Sequence, residues 1–180
     1  DSREVVAWDA NRGVILAQTE RRIGELILDA KPLLAIDDDA KVALLAGAIR
    51  AEGLWPQMMT DEARGFQARV MSLRAWGRAA DFPDLSDETL TATLETWLRS
   101  DLLASRSRVD LLRLNPATAL TSRLDWNQQR ALNALAPASL EVPTGSRIAL
   151  QYFAEGAPPV LPVRLQEIFG WLDTPTVNDG

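Results

Sequence analysis

The hydrophobic pattern of this 180-residue chain changes its period along the sequence, and that change limits the folds open to it. Apolar residues alternate near the N-terminal end, recur every three or four residues through the middle, and alternate again after residue 138. A period of two is typical of strands with one buried face, whereas a period of 3.6 is typical of helices. We therefore predict an α+β fold with an N-terminal β-meander, a central mainly α-helical bundle, and a C-terminal β-hairpin plus short helix.

The N-terminal pattern predicts three strands. Residues 3–8 and 14–19 are expected to form a hairpin around a loop that ends at Gly13, and residues 23–29 predict a third strand, closed by Pro32. A meander alone cannot bury its second face, so this one either packs on later segments of the chain or belongs to a larger sheet.

The middle of the chain carries helix start and stop signals. Asp37 is predicted to cap a helix that ends at Gly53, and Thr60 to cap another that ends at Gly77. A third helix is predicted after Ser86. Its apolar face comprises Leu90, Leu94, Trp97 and Leu98.

The last part of the chain is predicted to contain three helices followed by a β-hairpin, an edge strand and a short helix. Two short helices are predicted within 107–123, the second opened by Asn115 and Pro116, and Asp125 is predicted to cap a helix that Pro137 terminates. A hairpin over SLEV and RIALQYF then turns at the glycine of PTGS, PVLP suits a short edge strand, and a short helix comes next. Its apolar face comprises Leu165, Ile168, Phe169 and Leu172. The final TPTVNDG resembles the beginning of a truncated β unit.

Composition excludes several kinds of catalytic site. The chain has no histidine and no cysteine, so it lacks the usual general base, thiol nucleophile and thiolate metal ligand. A free-standing enzyme would depend on carboxylate chemistry. The net charge of −6 disfavours strong nonspecific binding of nucleic acid. No apolar run approaches the ~18 residues of a membrane span, and we expect a cytoplasmic protein without membrane contact.

Several local motifs have an ordinary structural explanation. The TGSR turn resembles a phosphate-binding loop only superficially, because it has one glycine, no lysine, and leads into a strand. Clusters of aspartate near residues 37 and 84 stand where helix starts favour negative charge. Of the six tryptophans, Trp97 and Trp126 are predicted to be core residues, whereas Trp55 and Trp171 either stack on bases or pack against a neighbouring domain.

Three arginines project from one sector of the helix that begins after Thr60. Arg64, Arg74 and Arg78 lie beside its apolar stripe. Such a ridge either contacts a nucleic-acid backbone or forms ion pairs with acidic residues of neighbouring helices.

A long motif extends over residues 124–153, LDWNQQRALNALAPASLEVPTGSRIALQYF, and continues over 158–170, PPVLPVRLQEIFG. It resembles the C-terminal region of the HrpB-type ATP-dependent helicases, bacterial relatives of the DEAH-box RNA helicases. Fainter likeness in ERRIGELIL and DFPDLSDETLTATLETWL extends the resemblance over nearly the whole chain. Thr144 and Gln151 stand where the family more often has serine and aspartate.

The resemblance implies an organisation for this chain. Residues 1–32 would end an accessory β domain, 33–136 would form a helical domain, and 137–180 would begin a family-specific C-terminal β-rich domain. In the family, ATP and Mg are bound by two motor domains that precede this region. We therefore expect no catalytic residue, metal or cofactor here, and a chain that is inactive on its own. The motor domains of the same polypeptide are the expected partners, and RNA is a candidate partner.

The resulting functional hypothesis is a non-catalytic accessory module of an ATP-dependent RNA helicase that guides nucleic acid or docks on the motor domains. The alternative is a protein–protein docking module that recruits the helicase to a partner, without nucleic-acid contact of its own. The candidate nucleic-acid or interdomain contacts are Arg64, Arg74, Arg78, Arg147, Tyr152 and Arg164.

Overall fold

The computed structural model of the chain describes residues 2–178 and confirms a mixed α+β fold with small antiparallel sheets. These residues group into two compact units. The N-terminal unit comprises the chain up to Met59 together with Thr91–Asn115, and the C-terminal unit comprises Thr60–Leu90 together with the chain from Pro116. The predicted domain limits after residues 32 and 136 concern a larger protein and stay a prediction.

The N-terminal unit begins with an antiparallel sheet in the order β1-β2-β3. Its strands are β1 (Ser2–Asp9), β2 (Val14–Ile23) and β3 (Leu26–Pro32). The predicted first hairpin is confirmed. The third strand begins later than predicted because Gly24, at φ 61°, and Glu25 form a two-residue turn that pairs Ile23 with Leu26.

Helices predominate between residues 33 and 136. In order they are α1 (Asp38–Glu52), α2 (Trp55–Met58), α3 (Asp61–Ala75), α4 (Asp87–Ala92), α5 (Leu94–Trp97), α6 (Arg99–Ala104), α7 (Arg108–Arg113), α8 (Ala117–Thr121) and α9 (Trp126–Leu135). The predicted starts of α1, α3 and α9 are confirmed, because Asp37, Thr60 and Asp125 each accept a hydrogen bond from a first-turn amide.

The helix predicted after Ser86 is interrupted at Thr93. Arg50 of α1 explains the break, because its guanidinium donates hydrogen bonds to the carbonyls of Thr91 and Ala92, at 2.8 and 3.2 Å. Those carbonyls would otherwise accept the next turn of a continuous helix. The apolar face was nevertheless predicted correctly, since all four of its residues are buried, namely Leu90, Leu94, Trp97 and Leu98.

The core of the N-terminal unit lies between α1 and the helices α5 and α6. Leu45 and Ile49 of α1 and Leu102 of α6 are almost fully buried. Trp55 and Trp97 meet edge to face, with ring centroids 5.8 Å apart. Trp55 is therefore a core residue, and the alternative that it stacks on bases is wrong.

The C-terminal unit is built on α3. Val70 and Leu73 of this helix are fully buried, as are Leu120 of α8 and Leu132 of α9. The predicted hairpin is confirmed as β4 (Ser139–Glu141) and β5 (Arg147–Ala149).

Two elements predicted after the hairpin are shorter than expected. The edge strand is one β-bridge between Gln151 and Val160. The short helix is a single 3-10 turn, Leu165–Glu167. Phe169 and Leu172, predicted for its apolar face, are exposed, so the described residues provide no packing that would favour a longer helix.

One carboxylate joins the sheet to the helices of the N-terminal unit. Glu52, at the end of α1, accepts hydrogen bonds from Arg108 Nε at 2.6 Å and Nη2 at 2.8 Å, and from Trp8 Nε1 at 2.6 Å. Arg108 also donates to the carbonyl of Ala10. A side chain at Gly13 would clash with this arginine, because its Cβ would lie 2.8 Å from Arg108 Nη1.

Replacing Gly47, inside α1, and Gly53, directly after it, is predicted to change the stability of the fold in opposite directions. Gly53 ends the helix in the left-handed conformation, at φ 62°, so Gly53→Ala should cost about 1–2 kcal/mol. Gly47 lies inside the helix with open space around the position of a Cβ, so Gly47→Ala should stabilise by about 0.5–1 kcal/mol. The urea concentration at the unfolding midpoint measures the stability of both variants. Midpoints that shift in the same direction would contradict the prediction.

The Glu52 contacts predict a dependence of stability on pH. The hydrogen bonds from Arg108, and then that from Trp8, lower the pKa of Glu52 from 4.5 to about 2. Ionised Glu52 therefore stabilises the fold fully above its unfolded-state pKa, and this contribution is lost as pH falls from about 5 towards 2.

Glu52→Gln should consequently destabilise the chain most at neutral pH, and its deficit relative to the parent should shrink between pH 5 and pH 2. Urea unfolding at a series of pH values measures the deficit. Glu4→Gln, at an exposed position of β1, is the control and should change little. A deficit for Glu52→Gln that stays constant over this range would contradict the prediction.

Candidate interaction surfaces

Arg64 of α3 is held by acceptors of its own unit. Its Nη1 lies 2.7 and 2.9 Å from the two carboxylate oxygens of Asp87, and 3.0 Å from the Gln67 side-chain oxygen. Gln67 is buried and donates to Asp87 and to the carbonyl of Leu85. This network attaches the first half of α3 to the start of α4.

The other two arginines of the predicted ridge differ in their surroundings. Arg74 is half-buried and donates a hydrogen bond to the carbonyl of Phe82, which secures the loop after α3. Arg78 is exposed, and its Nη2 lies 3.5 Å from the carbonyl of Asn178, at the limit of a hydrogen bond. Arg78 thus has the more accessible guanidinium of the two.

Tyr152 is buried, and its hydroxyl donates a hydrogen bond of 2.7 Å to the carbonyl of Pro137. Its ring lies 6.4 Å from that of Trp76. Burial raises the pKa of Tyr152 to about 12, although the nearby Arg69 opposes the shift. The phenol is therefore a protonated donor at neutral pH, and it fixes the segment after α9.

The same segment is held by other side chains of α3. Arg69 donates to the carbonyl of Ala136 at 2.7 Å, and Ser72 to that of Phe153 at 2.6 Å. Trp76 donates to Gly156 at 2.7 Å. These side chains therefore provide hydrogen-bond partners for backbone carbonyls of the segment after α9.

The remaining two candidates are exposed. Arg147 lies on β5 opposite Glu141, and Arg164 precedes the 3-10 turn. The structure thus places Arg64, Arg74 and Tyr152 in contacts within the C-terminal unit and leaves Arg78, Arg147 and Arg164 accessible. A role for any of the six in binding nucleic acid or another domain stays a prediction.

Trp126 was wrongly predicted to be a core residue, because its side chain is 69% exposed. It is the first residue of α9, and the Arg130 guanidinium lies 5.5 Å from its ring centroid. The spacing contained a signal that could have identified this. Leu135 is nine residues further along, which is two and a half helical turns, so the two side chains project from opposite faces.

A second exposed surface is the tip of the β2–β3 hairpin, comprising Ile23, Leu26, Ile27 and Leu28. Their exposed fractions range from 50% for Ile27 to 72% for Leu26. A shift in register after Arg21 leaves Leu28 without a partner in β2, as in a β-bulge. The strand itself was predicted from the sequence, but the exposure of its apolar side chains was not.

The C-terminal unit also contains an apolar groove of about 720 Å³. Leu140, Leu150, Leu161, Ile168 and Trp171 are among the residues that line it. Trp171 is half-buried in this groove. None of the helices within residues 2–178 is long and apolar enough to span a membrane.

Two family models match the chain. The model described as ATP-dependent helicase C-terminal matches residues 97–180, and the model for the connector region of ATP-dependent RNA helicase HrpB matches residues 1–33. The curated ATP-dependent RNA helicase HrpB of Escherichia coli (strain K12) is 37% identical over 177 residues, which is 98% of this chain and 22% of that protein.

Solved structures agree with this relationship. A crystal structure of the Escherichia coli DEAH/RHA helicase HrpB matches all of this chain with a TM-score of 0.73, 36% identity, and 23% of its own length covered. A structure of the E. coli DExH-box NTPase HrpB matches with a TM-score of 0.74, 36% identity, and 22% of its length covered. The chain thus spans about a fifth of the length of these relatives, and it belongs to the HrpB-type ATP-dependent helicases as their C-terminal region.

Proposed function

We propose that this chain is a non-catalytic accessory module that docks on the rest of its helicase polypeptide, the motor domains included. The observation that carries the proposal is the exposed apolar tip of the β2–β3 hairpin. The ATP-dependent helicase activity for which the relatives are named would then belong to segments outside this chain.

The tip has the composition of a docking surface. Four large apolar side chains lie within six consecutive residues, and each is at least half exposed. Charged residues surround them, namely Arg21, Arg22, Glu25, Asp29 and Lys31. An apolar centre with a charged rim is typical of protein interfaces, and full burial of a Leu or Ile side chain contributes about 1.5–3 kcal/mol.

The backbone of β3 supports the same proposal. β3 is an edge strand of the described sheet, and all seven of its residues are exposed. Such an edge offers unpaired amide and carbonyl groups, which natural proteins usually cover or protect with charge. A surface of the same polypeptide is the occupant we propose, because this chain accounts for about a fifth of its relatives' length.

The exposed arginines are further candidates for contacts in this proposal. Arg78, Arg147 and Arg164 remain candidates for contacts to the motor domains or to RNA, since their guanidinium groups lie at the surface. Arg64, Arg74 and Tyr152 would act indirectly, by holding the C-terminal unit together.

The double substitution Leu26→Asp/Leu28→Asp in the intact helicase tests the proposal. Charged residues at the tip should weaken docking without unfolding the chain, because both leucines are exposed. We expect protease cleavage between this module and the rest of the helicase to accelerate by about tenfold or more, since tenfold corresponds to about 1.4 kcal/mol.

Leu34→Asp provides a matched control, because Leu34 is fully exposed and lies outside the tip. Equal cleavage rates for the two variants would contradict docking on the same polypeptide. If cleavage is unchanged and the double variant instead loses binding to a separate protein, the alternative of a partner-recruiting module is the correct one.

A further inference from the structure

The side chain of Trp126 is the largest in this chain to be more than half exposed among the described residues. Its exposed fraction of 69% contrasts with 5% for Trp55 and 8% for Trp97, which form the aromatic core of the N-terminal unit. Exposure of an indole face costs free energy because water must hydrate apolar surface. Trp126 contributes little to packing of α9, which is anchored instead by Leu132, 1% exposed.

The ring projects from a rigid support. Asp125 Oδ1 accepts a hydrogen bond from the Gln128 amide at 2.8 Å, and Gln128 Oε1 accepts one from the Asp125 amide at 3.0 Å, which completes a capping box. The Gln128 side chain also donates to the carbonyl of Asp81 at 2.9 Å. A ligand that stacks on Trp126 therefore loses little entropy in ordering the helix start.

One cationic side chain lies beside the ring, and a second is close to it in the sequence. Arg130 is one helical turn further on, with its guanidinium 5.5 Å from the indole centroid, and Arg123 lies three residues before Trp126 in the chain. Both arginines are exposed, and neither forms an ion pair with a carboxylate within residues 2–178. An aromatic face beside such a guanidinium group combines base stacking with phosphate binding.

The neighbourhood favours nucleic acid over a protein ligand. The accessible positions around Trp126 on α9 are polar or small, namely Asn127, Arg130, Asn133 and Ala134. A protein interface centred on a tryptophan would need further apolar surface around it, as at the hairpin tip. One isolated ring with a cation beside it has the size and chemistry to bind one unpaired base.

We propose that Trp126 and Arg130 form a stacking site for one base of single-stranded RNA, with Arg123 and Arg130 contacting the adjacent phosphates. The site is independent of the docking surface at the hairpin tip, which lies in the other unit. Because stacking involves the face of a base, the site is expected to show little preference for sequence.

The test measures binding of fluorescently labelled 30-nucleotide oligouridine to the intact helicase by anisotropy, without nucleotide, over a series of salt concentrations. Trp126→Ala should weaken binding by about 5- to 150-fold, the range typical for loss of one stacked base. Trp126→Phe should retain most of the affinity because phenylalanine keeps an aromatic face.

Arg130→Ala should weaken binding and reduce the slope of log affinity against log salt by about 0.7. Arg113→Ala, at an exposed arginine of α7, is the charge-matched control and should change neither quantity. Circular dichroism and melting should be unchanged for all variants, since each side chain is exposed.

Three outcomes would overturn the proposal. The first is an affinity of Trp126→Ala for oligouridine within twofold of the parent, and the second is an equal effect of Arg130→Ala and Arg113→Ala. The third is an equal loss of affinity of Trp126→Ala for a blunt RNA duplex, whose bases are not available for stacking. Loss with Trp126→Ala that Trp126→Phe largely restores would support it. The Leu26→Asp/Leu28→Asp helicase should bind oligouridine normally at this site, so failure of docking and failure of stacking are distinguishable.

Discussion

The ionised carboxylate of Glu52 is the interaction on which the arrangement of the N-terminal unit depends. It lies at the end of α1 and accepts hydrogen bonds from Trp8 of β1 and from Arg108 of α7. A three-stranded sheet with an exposed third strand has too little apolar surface to fix its position on the helices by itself. Charge-assisted hydrogen bonds supply direction as well as energy, and here they act together with the backbone bridge between Val14 and Ser107 at the start of α7. Glycine is favoured at position 13, because the backbone there is left-handed, at φ 64°, and a Cβ would crowd Arg108.

The C-terminal unit depends on hydrogen bonds that side chains on and next to one helix donate to backbone carbonyls of an irregular segment. Arg69 and Ser72 of α3 and Trp76, directly after this helix, each donate to a backbone carbonyl of the chain after α9, and Tyr152 donates a hydrogen bond to Pro137 within that segment. Carbonyl groups without partners are costly when they are removed from water. Side chains of α3 therefore allow a hairpin with three-residue strands to hold a defined position.

The distribution of satisfied and accessible groups decides which functions the region supports. Arg64 is paired with Asp87 and Arg74 with a backbone carbonyl, so most of the ridge on α3 stabilises the fold. The groups left accessible are of two different kinds. An apolar hairpin tip suits contact with protein, and an indole beside unpaired guanidinium groups suits contact with an unpaired base. Together, the two surfaces underlie our proposals of docking on the helicase polypeptide and of stacking on RNA.

Sequence alone was sufficient for the α+β class, the family, the helix caps at Asp37, Thr60 and Asp125, and the apolar face from Leu90 to Leu98, because caps and periodicity are local properties. It could not determine where a helix is interrupted, since Arg50 reaches Thr91 and Ala92 from 41 residues away. The exposure of Trp126 was, by contrast, within reach of the sequence, because Leu135 projects from the opposite face of the same helix. Tertiary structure alone also decided that Arg64 forms an ion pair and Arg78 stays accessible at the surface, because the acceptors come from distant parts of the chain.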